Sequence, residues 1–347
     1  MGRATRIVLS RDLFEAEGNF VAPGPGLSLI DDIPGLESDI FAENLPDVTP
    51  EQIAGYDMVP CLIPKWTADS LKGNDRLLAV HRFGVGYDMV DVSALNEAGV
   101  LLTLTREATR RPMASAILTM LMVLSTRLMT KDRITRAGQW NERGKYHGVG
   151  LVGRTLGVIG VGNIGHEVFK LAAPLEMRHL GCDPYITQES VDDVGVQLVD
   201  MDTILAESDL ISICCPLTAE TRHMIDETAF KKMKPSAFFV NMARGPIVDE
   251  AALIRALSEG WIEGAGIDVF EQEPTPDDNP LLKMDNVIVT PHALCWTDQV
   301  FNTQWDFILG QVDALRHGEA PLGMVNPEVW HSPVFQHKLE RFLEETK

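Results

Sequence analysis

The chain lacks paired cysteines, an excess of positive charge and a long uninterrupted hydrophobic run. Its five cysteines show neither a CxxC pair nor the spacing of metal ligands, which argues against a disulfide framework or a metal site and favours a reduced, cytoplasmic setting. Thirty basic and fifty acidic residues give a net charge of -20, so we expect no nucleic-acid partner. The apolar stretch 113–129 contains polar side chains and is shorter than the ~20 residues that a membrane span needs. We expect no membrane partner.

Two α/β domains are predicted by the length and by the order of apolar segments. A chain of 347 residues exceeds what one hydrophobic core usually serves. The first hundred residues alternate short β-branched runs with polar or helical stretches, which predicts a small α/β unit with a parallel sheet. From Arg154 strands and helices alternate more tightly, which predicts a doubly wound parallel sheet.

A dense apolar segment follows Pro112 and continues to about Ala137, where Gly138 can end a helix. Proline suits a first helical turn and glycine suits a helix end, so we predict one long helix at about 112–137. Its apolar positions are too dense for a surface helix, and it should lie between domains or subunits. The tail, 326–347, is predicted to form a helix that packs back on the first domain.

A glycine-rich turn spells GxGxxG from Gly160 through Gly162 to Gly165, between an apolar strand and a helical stretch. Such a turn lets a dinucleotide pyrophosphate approach the backbone at a helix N-terminus. Asp183 lies 18 residues after the last glycine and could bind a ribose hydroxyl. No arginine follows in 184–187 to receive a 2'-phosphate, which favours NAD over NADP. The alternative is a structural turn with a solvated aspartate.

Three chemically useful side chains follow three predicted strands of the second domain: Arg244, Glu273 and His292. Ligands bind at that edge of open parallel sheets. An arginine can bind a carboxylate, a histidine can exchange the hydroxyl proton, and a glutamate can stabilise the charged imidazole. Taken singly, each could be an ordinary salt-bridge, core or surface residue. Together they are the set that hydride transfer from an alcohol carbon requires besides a nicotinamide.

These motifs, in this order, resemble those of the D-isomer-specific 2-hydroxyacid dehydrogenases, which include glycerate, hydroxypyruvate and phosphoglycerate dehydrogenases. The resemblance covers roughly residues 55–325. It implies NAD-dependent hydride transfer at C2 of a small D-2-hydroxy or 2-keto acid, with Arg244 holding the substrate and His292 and Glu273 as the acid-base pair. It also implies that Asp268 contacts the nicotinamide side. Further cofactor contacts implied by the resemblance are Asn163, Ile164, Cys215, Pro216, Met242 and Ala243.

The same resemblance implies two Rossmann-like domains and a homodimer. A flavodoxin-like, split substrate domain would comprise 1–105 and 297–347, and a Rossmann NAD-binding domain would comprise 106–296. The long helix would help to form the dimer. The segment after Arg82 looks like the family's substrate loop, in which the backbone amides of Val85 and Gly86 would converge on a carboxylate.

Two departures from the family pattern leave the substrate open. Arg106–Pro112 stands where relatives commonly have proline directly after a threonine, and Ala293–Thr297 stands where many have small residues. Arg82, Arg110 or Arg111 could bind a second anionic group and Trp296 could narrow the pocket; equally, all could be surface or packing residues.

Three other functions are weaker alternatives. Formate-oxidising relatives pair the histidine with glutamine rather than with a residue like Glu273, and phosphite-oxidising relatives have lysine where Val85 stands. An NAD-sensing, corepressor-like binding protein would retain the same catalytic group. The chain carries no recognisable appendage for binding a partner peptide, so we favour the enzyme.

Overall fold

The computed structural model describes residues 2–15, 20–21 and 28–347, and the chain divides into two compact units. Unit 1 comprises Met1–Thr109 and Trp296–Lys347, and unit 2 comprises Arg110–Cys295. Both units are built on parallel sheets, as the alternation of strand and helix patterns predicts.

Unit 1 contains a five-stranded parallel sheet. Its strands are β1 (Thr5–Leu9), β2 (Leu36–Ile40), β3 (Met58–Cys61), β4 (Ala79–Arg82) and β5 (Leu101–Leu104). The order β2-β1-β3-β4-β5 is that of flavodoxin-like folds. Four of these strands coincide with the short apolar runs that predict a parallel sheet here, but β2 does not. That strand lies at the edge of the sheet and includes charged side chains, so it lacks the apolar run of a buried strand.

Helices cover this sheet and include the tail of the chain. They are α1 (Ser28–Asp31), α2 (Pro50–Ile53), α3 (Val92–Ala98), the start of α4 (Arg106–Thr126), α10 (Asp298–Arg316) and α11 (Pro333–Thr346). Of the tail predicted to be helical, 326–347, Pro333–Thr346 forms α11, which packs on unit 1, whereas Pro327–His331 forms a short 3-10 helix. Its buried Lys338 ammonium donates to the carbonyl oxygens of Leu77 at 3.2 Å and Ala98 at 2.7 Å.

Unit 2 contains a seven-stranded parallel sheet. Its strands are β6 (Thr155–Ile159), β7 (Arg178–Cys182), β8 (Val196–Leu198), β9 (Leu210–Ile213), β10 (Phe238–Asn241), β11 (Gly264–Ile267) and β12 (Val287–Val289). In the order β12-β11-β10-β9-β6-β7-β8, the direction of winding reverses between β6 and β9. Ligands bind at such a switch point, outside the carboxyl ends of the strands.

The remaining helices belong to unit 2. They are the rest of α4, α5 (Leu128–Arg136), α6 (Asn163–Ala172), α7 (Met201–Glu207), α8 (Glu227–Lys232) and α9 (Glu250–Ser258). Aspartates cap α7, α8 and α9, and each accepts a hydrogen bond from the backbone N–H group three residues on. Such caps fix where a helix begins.

The prediction of one long helix at about 112–137 is wrong at its start and in its middle. α4 begins at Arg106 and contains Pro112, and the chain bends by 58° between α4 and α5. The break lies at Arg127, whose φ of 55° is left-handed. Its side chain donates to the carbonyl oxygen of His147 and pairs with Glu263, contacts that stabilise a conformation which a local pattern does not predict.

No single helix among the described residues is long and apolar enough to cross a membrane, and the bent pair α4 and α5 passes such a test only by length and composition.

Candidate active site

The glycine turn after β6 has the geometry of a nucleotide-binding turn. Gly160 has a φ of 90°, and a Cβ there would lie 2.5 Å from the backbone nitrogen of Cys215. A Cβ at Gly165 would lie 2.2 Å from the carbonyl oxygen of Gly160. A Cβ at Gly162, the residue before α6, would meet nothing within 4 Å. Two positions therefore require glycine for packing, and the middle one leaves open space at the helix N-terminus, where a pyrophosphate fits.

Asp183 lies beside this turn, directly after β7. Its two carboxylate oxygens accept hydrogen bonds from the backbone N–H groups of Val161 and Tyr185, both at 2.9 Å. A carboxylate oxygen can accept more than one hydrogen bond, so Asp183 can bind a further donor. The structure brings the acidic residue and the glycine turn together, as the ribose-binding interpretation requires.

The other predicted cofactor residues of unit 2 follow strands or begin a helix at the same sheet edge. Burial raises the pKa of the Cys215 thiol to about 11, which leaves it protonated and suited to an apolar wall. The remaining members of this set are Asn163 and Ile164 at the start of α6, Pro216 after β9, Met242 and Ala243 after β10, and Asp268 after β11.

Arg244 lies three residues beyond the end of β10, on a bend that Asn241 fixes. The Asn241 side chain donates to the carbonyl oxygen of Arg244 at 2.9 Å and accepts from the backbone N–H group of Ala243 at 3.1 Å. Arg244 itself is half-buried and donates from Nη1 to the Ala243 carbonyl oxygen at 2.8 Å. No sequence pattern predicts this role of Asn241, because its contacts depend on the shape of the bend.

Glu273 and His292 form the pair that their residue types predict. Oε2 of Glu273 lies 2.8 Å from Nδ1 of His292, and Oε1 accepts from the Phe270 backbone N–H group at 2.9 Å. Burial raises the pKa of Glu273, but the hydrogen bond and charge of His292, the Phe270 bond and the charge of Arg244 outweigh it, so the pKa lies below its ordinary value. Glu273 is therefore ionised at neutral pH and can stabilise a charged imidazole.

His292 stands on a turn that a buried aspartate supports. The φ of His292 is 55°, a left-handed conformation that is uncommon for residues other than glycine. Asp268, which is 1% exposed, accepts from Thr290 Oγ1 at 2.6 Å and from the N–H groups of Ala293 and Leu294 at 3.1 and 3.2 Å. These three hydrogen bonds hold both sides of the turn, a supporting role that sequence reasoning did not assign to Asp268.

In unit 1, the predicted substrate loop follows β4. Thr105 fixes its start, because its hydroxyl accepts from the Gly84 N–H group at 2.8 Å and its own N–H group donates to the Gly84 carbonyl oxygen at 3.1 Å. Nε of the buried Arg82 donates to the carbonyl oxygen of Gly86. Within the part of the chain that the structure describes, the N–H groups of Val85 and Gly86 have no acceptor.

Arg110, Arg111 and Trp296, which could border the pocket or serve in packing, have local partners. Arg111 Nη1 lies 2.6 Å from a carboxylate oxygen of Glu167 on α6, and Arg110 Nε lies 3.8 Å from the other. In unit 1, Trp296 remains 40% exposed and meets the Phe301 ring edge-on at 5.2 Å. The two arginines therefore help to balance a buried carboxylate, and Trp296 borders an aromatic cluster.

Comparisons with known proteins identify the family. The family model for the NAD-binding domain of D-isomer-specific 2-hydroxyacid dehydrogenases matches residues 118–293. A glyoxylate reductase of Korarchaeum cryptofilum is 36% identical over 316 residues, which cover 88% of this chain and 94% of that protein. Another glyoxylate reductase, from Thermofilum pendens, is 33% identical over 321 residues, covering 89% and 93%. The chain belongs to the D-isomer-specific 2-hydroxyacid dehydrogenase family.

A solved structure supports the same conclusion for the fold and the chemistry. The D-lactate dehydrogenase of Aquifex aeolicus, complexed with NAD and lactic acid, superposes with a TM-score of 0.81 at 26% identity and covers 92% of this chain and 98% of that one. The predicted fold class of two Rossmann-like domains is confirmed. The protein is an NAD-dependent oxidoreductase that transfers hydride at C2 of a small D-2-hydroxy or 2-keto acid. The corepressor-like alternative is not supported.

Proposed function

We propose that Arg244, Glu273 and His292 are the catalytic residues of this dehydrogenase. The observation that carries the proposal is the 2.8 Å contact between His292 Nδ1 and the ionised Glu273. This contact fixes the imidazole and leaves Nε2 as the nitrogen that exchanges a proton with substrate. Arg244 follows β10, which pairs with β11, the strand that precedes Glu273. Its guanidinium supplies a planar set of donors that suits a 2-keto acid.

In the reduction of a 2-keto acid, each proposed residue has a separate role. Arg244 binds the substrate carboxylate and carbonyl oxygen and draws electron density towards that oxygen. When bound, NADH would supply the hydride that C2 receives. His292 donates its proton to the carbonyl oxygen, and Glu273 stabilises the imidazolium before that transfer. Within unit 1, the N–H groups of Val85 and Gly86 have no acceptor among the described residues, and we propose them as donors to a carboxylate.

We propose that Asp183 makes the enzyme prefer NAD to NADP. Its carboxylate lies next to the glycine turn, so a ribose hydroxyl can donate to it, whereas a 2'-phosphate would be repelled. In Asp183→Ala, we expect the ratio of kcat/KM for NADH over NADPH to fall at least about tenfold, which corresponds to the loss of one charge-assisted hydrogen bond. An unchanged ratio would place recognition of the 2'-position elsewhere.

The substrate that we propose is glyoxylate or another small unbranched 2-keto acid. Support comes from two relatives named glyoxylate reductase, each aligned over more than nine-tenths of its own length. The test measures kcat/KM with NADH for glyoxylate, hydroxypyruvate, pyruvate, a branched 2-keto acid and a phosphorylated one. Glyoxylate or hydroxypyruvate should give the highest value, and a clear preference for the phosphorylated acid would overturn this choice.

We also propose that two copies of the chain associate through the region of α4 and α5. Large apolar side chains are exposed there on unit 2, among them Met122 at 39%, Leu128 at 51% and Met129 at 56%. Exposed apolar clusters of this kind mark interaction surfaces. Light scattering should give a dimer mass, and Leu128→Glu with Met129→Glu should give a monomer. A monomeric wild-type protein would contradict the proposal.

A further inference from the structure

Glu273 stands on a long irregular loop, which we call the Glu273 loop and define as residues 270–279. Most of its residues are exposed, and no helix or strand is assigned within it. A surface depression of about 530 Å³ is lined by this loop, by the following Pro280 and by Glu250. Apolar packing therefore contributes little on that side, and polar contacts must hold the loop in place.

One side chain outside the loop binds both of its ends. Oε2 of Glu250 accepts from the Glu271 backbone N–H group at 3.0 Å, and Oε1 accepts from Nδ2 of Asn279 at 2.8 Å. Asn279 is only 6% exposed and also donates to Thr275 within the loop at 2.9 Å. Hydrogen bonds to a carboxylate are roughly twice as strong as those between neutral groups. Glu250 thus restrains the segment on either side of Glu273.

Glu250 is itself fixed in position. It is the first residue of α9, follows the capping residue Asp249, and donates from its own backbone N–H group to Glu271 Oε2 at 3.3 Å. α9 is anchored to the core of unit 2 by four buried apolar residues, Ala252, Leu253, Ala256 and Leu257. Glu250 on the anchored helix and Glu271 on the loop therefore exchange two hydrogen bonds, in which each carboxylate accepts from the backbone N–H group of the other residue.

The charges around this contact are partly balanced. Two carboxylates close together repel each other, but Nε2 of His223 lies 2.6 Å from Oε1 of Glu271. The N-terminus of α9 also favours negative charge. These two contacts offset part of the repulsion between Glu250 and Glu271, which lets the two side chains keep their mutual hydrogen bonds.

We infer that Glu250 is a positioning residue for the reaction: its carboxylate holds the Glu273 loop so that Glu273 stays against His292. Glu250 acts only through the loop and touches neither reacting group. The inference rests on the proposed roles of Glu273 and His292. It predicts that loss of Glu250 changes proton transfer rather than cofactor binding, because a displacement of about 1 Å at a catalytic group can slow a reaction by up to about a hundredfold.

The test compares Glu250→Ala with Glu273→Gln in the reduction of a 2-keto acid by NADH. For Glu250→Ala we expect kcat to fall about tenfold with an unchanged Kd for NADH. We also expect the decline of activity at alkaline pH to begin at lower pH, in the same direction as in Glu273→Gln, because both changes weaken carboxylate stabilisation of the protonated imidazole. Glu250→Gln can retain one of the two acceptors and should give an intermediate shift, which tests the inference if the alanine variant does not fold.

The matched control is Glu227→Ala. Glu227 also begins a short helix after a capping aspartate and has charged partners, Lys231 and Arg255, but no hydrogen bond or ion pair joins it to the Glu273 loop. It should leave both kcat and the pH profile unchanged. A Glu250→Ala profile that matches this control would overturn the inference.

A double mutant separates positioning from other effects. If Glu250 acts through Glu273, Glu250→Ala should lower kcat less than about twofold in the Glu273→Gln background, since coupled residues are not additive. A further tenfold loss there would overturn the inference. If the wild-type enzyme reduces no 2-keto acid, or if Glu273→Gln leaves the pH profile unchanged, the proposed function itself fails.

Discussion

One histidine lies within a strand of unit 1 and another lies just beyond a strand end of unit 2, and the two differ in burial and in their partners. His81 lies within β4 of unit 1, is 0% exposed, and has Thr103 Oγ1 at 2.8 Å and Gln311 Oε1 at 3.2 Å from its Nδ1. His292 lies beyond the end of β12 in unit 2, has a side chain that is 43% exposed, and contacts a carboxylate. One is a core residue, and the other has the surroundings of an acid-base group.

The physical cause of the difference is the position along the strand. Within a parallel strand the side chain is covered on both sides, and burial lowers the pKa of His81 to about 4, so it is neutral at physiological pH. Beyond the strand end the chain bends away from the ladder, and a carboxylate and a solvent path can both reach the imidazole. The two residues are of the same type, so their position relative to the strand end is what separates a core histidine from one that can exchange a proton.

The largest effect that tests this comparison is expected for His292→Asn. Because general acid-base catalysis contributes about 10²- to 10⁴-fold, kcat should fall by about 10³-fold while the Kd for NADH changes less than about threefold. The measurements are steady-state kinetics and fluorescence titration with NADH. Near-normal kcat in this variant would show that His292 does not take part in proton transfer. The two histidines would then not differ in catalytic role.

Gly245→Ala should have the next largest effect, because it displaces the strand-end loops of unit 2. A Cβ at Gly245 would lie 1.7 Å from the carbonyl oxygen of Phe270, at the start of the Glu273 loop. The loop must shift, so we expect kcat/KM to fall about tenfold to a hundredfold and the free energy of unfolding to fall by about 2 kcal/mol. Normal kinetics in this variant would show that the loop tolerates displacement.

His81 should affect stability and not turnover. Its pKa is about 4 in the folded protein and near the ordinary 6.5 in the unfolded chain, so between these values the unfolded chain binds a proton that the folded chain does not. The contribution of neutral His81 to the free energy of unfolding is therefore fully present above pH 6.5. It is lost as the pH falls to 4, by up to about 3 kcal/mol.

Urea unfolding at pH 4 to 7.5 measures this contribution as the difference between wild type and His81→Gln. That difference should change by about 3 kcal/mol in favour of the variant as the pH falls. His317→Gln, a change at an exposed histidine of the same unit, is the control and should show little such change. Equal pH dependence in all three proteins would contradict a neutral, buried His81.

The sequence predicts the parts of the site that depend on local patterns. The glycine turn, Asp183 and the strand-end position of His292 follow from an apolar run and the polar residue after it. Contacts between segments distant in the chain escape such patterns. Asn241 fixes the Arg244 bend and Asp268 holds the His292 turn only once the strands are aligned, and the break at Arg127 depends on Glu263, 136 residues away.

The smallest expected effect concerns Gly310 in unit 1, where, unlike at Gly245, an added Cβ would not clash with a neighbouring atom. Gly310 lies on the exposed face of α10, and a Cβ there would meet nothing within 4 Å. Alanine is the better helix former, so Gly310→Ala should raise the free energy of unfolding by about 1 kcal/mol without changing kcat. Urea denaturation and the standard assay check both expectations. Destabilisation would mean that α10 is packed more tightly at this position than its exposure indicates, which would narrow the contrast with Gly245.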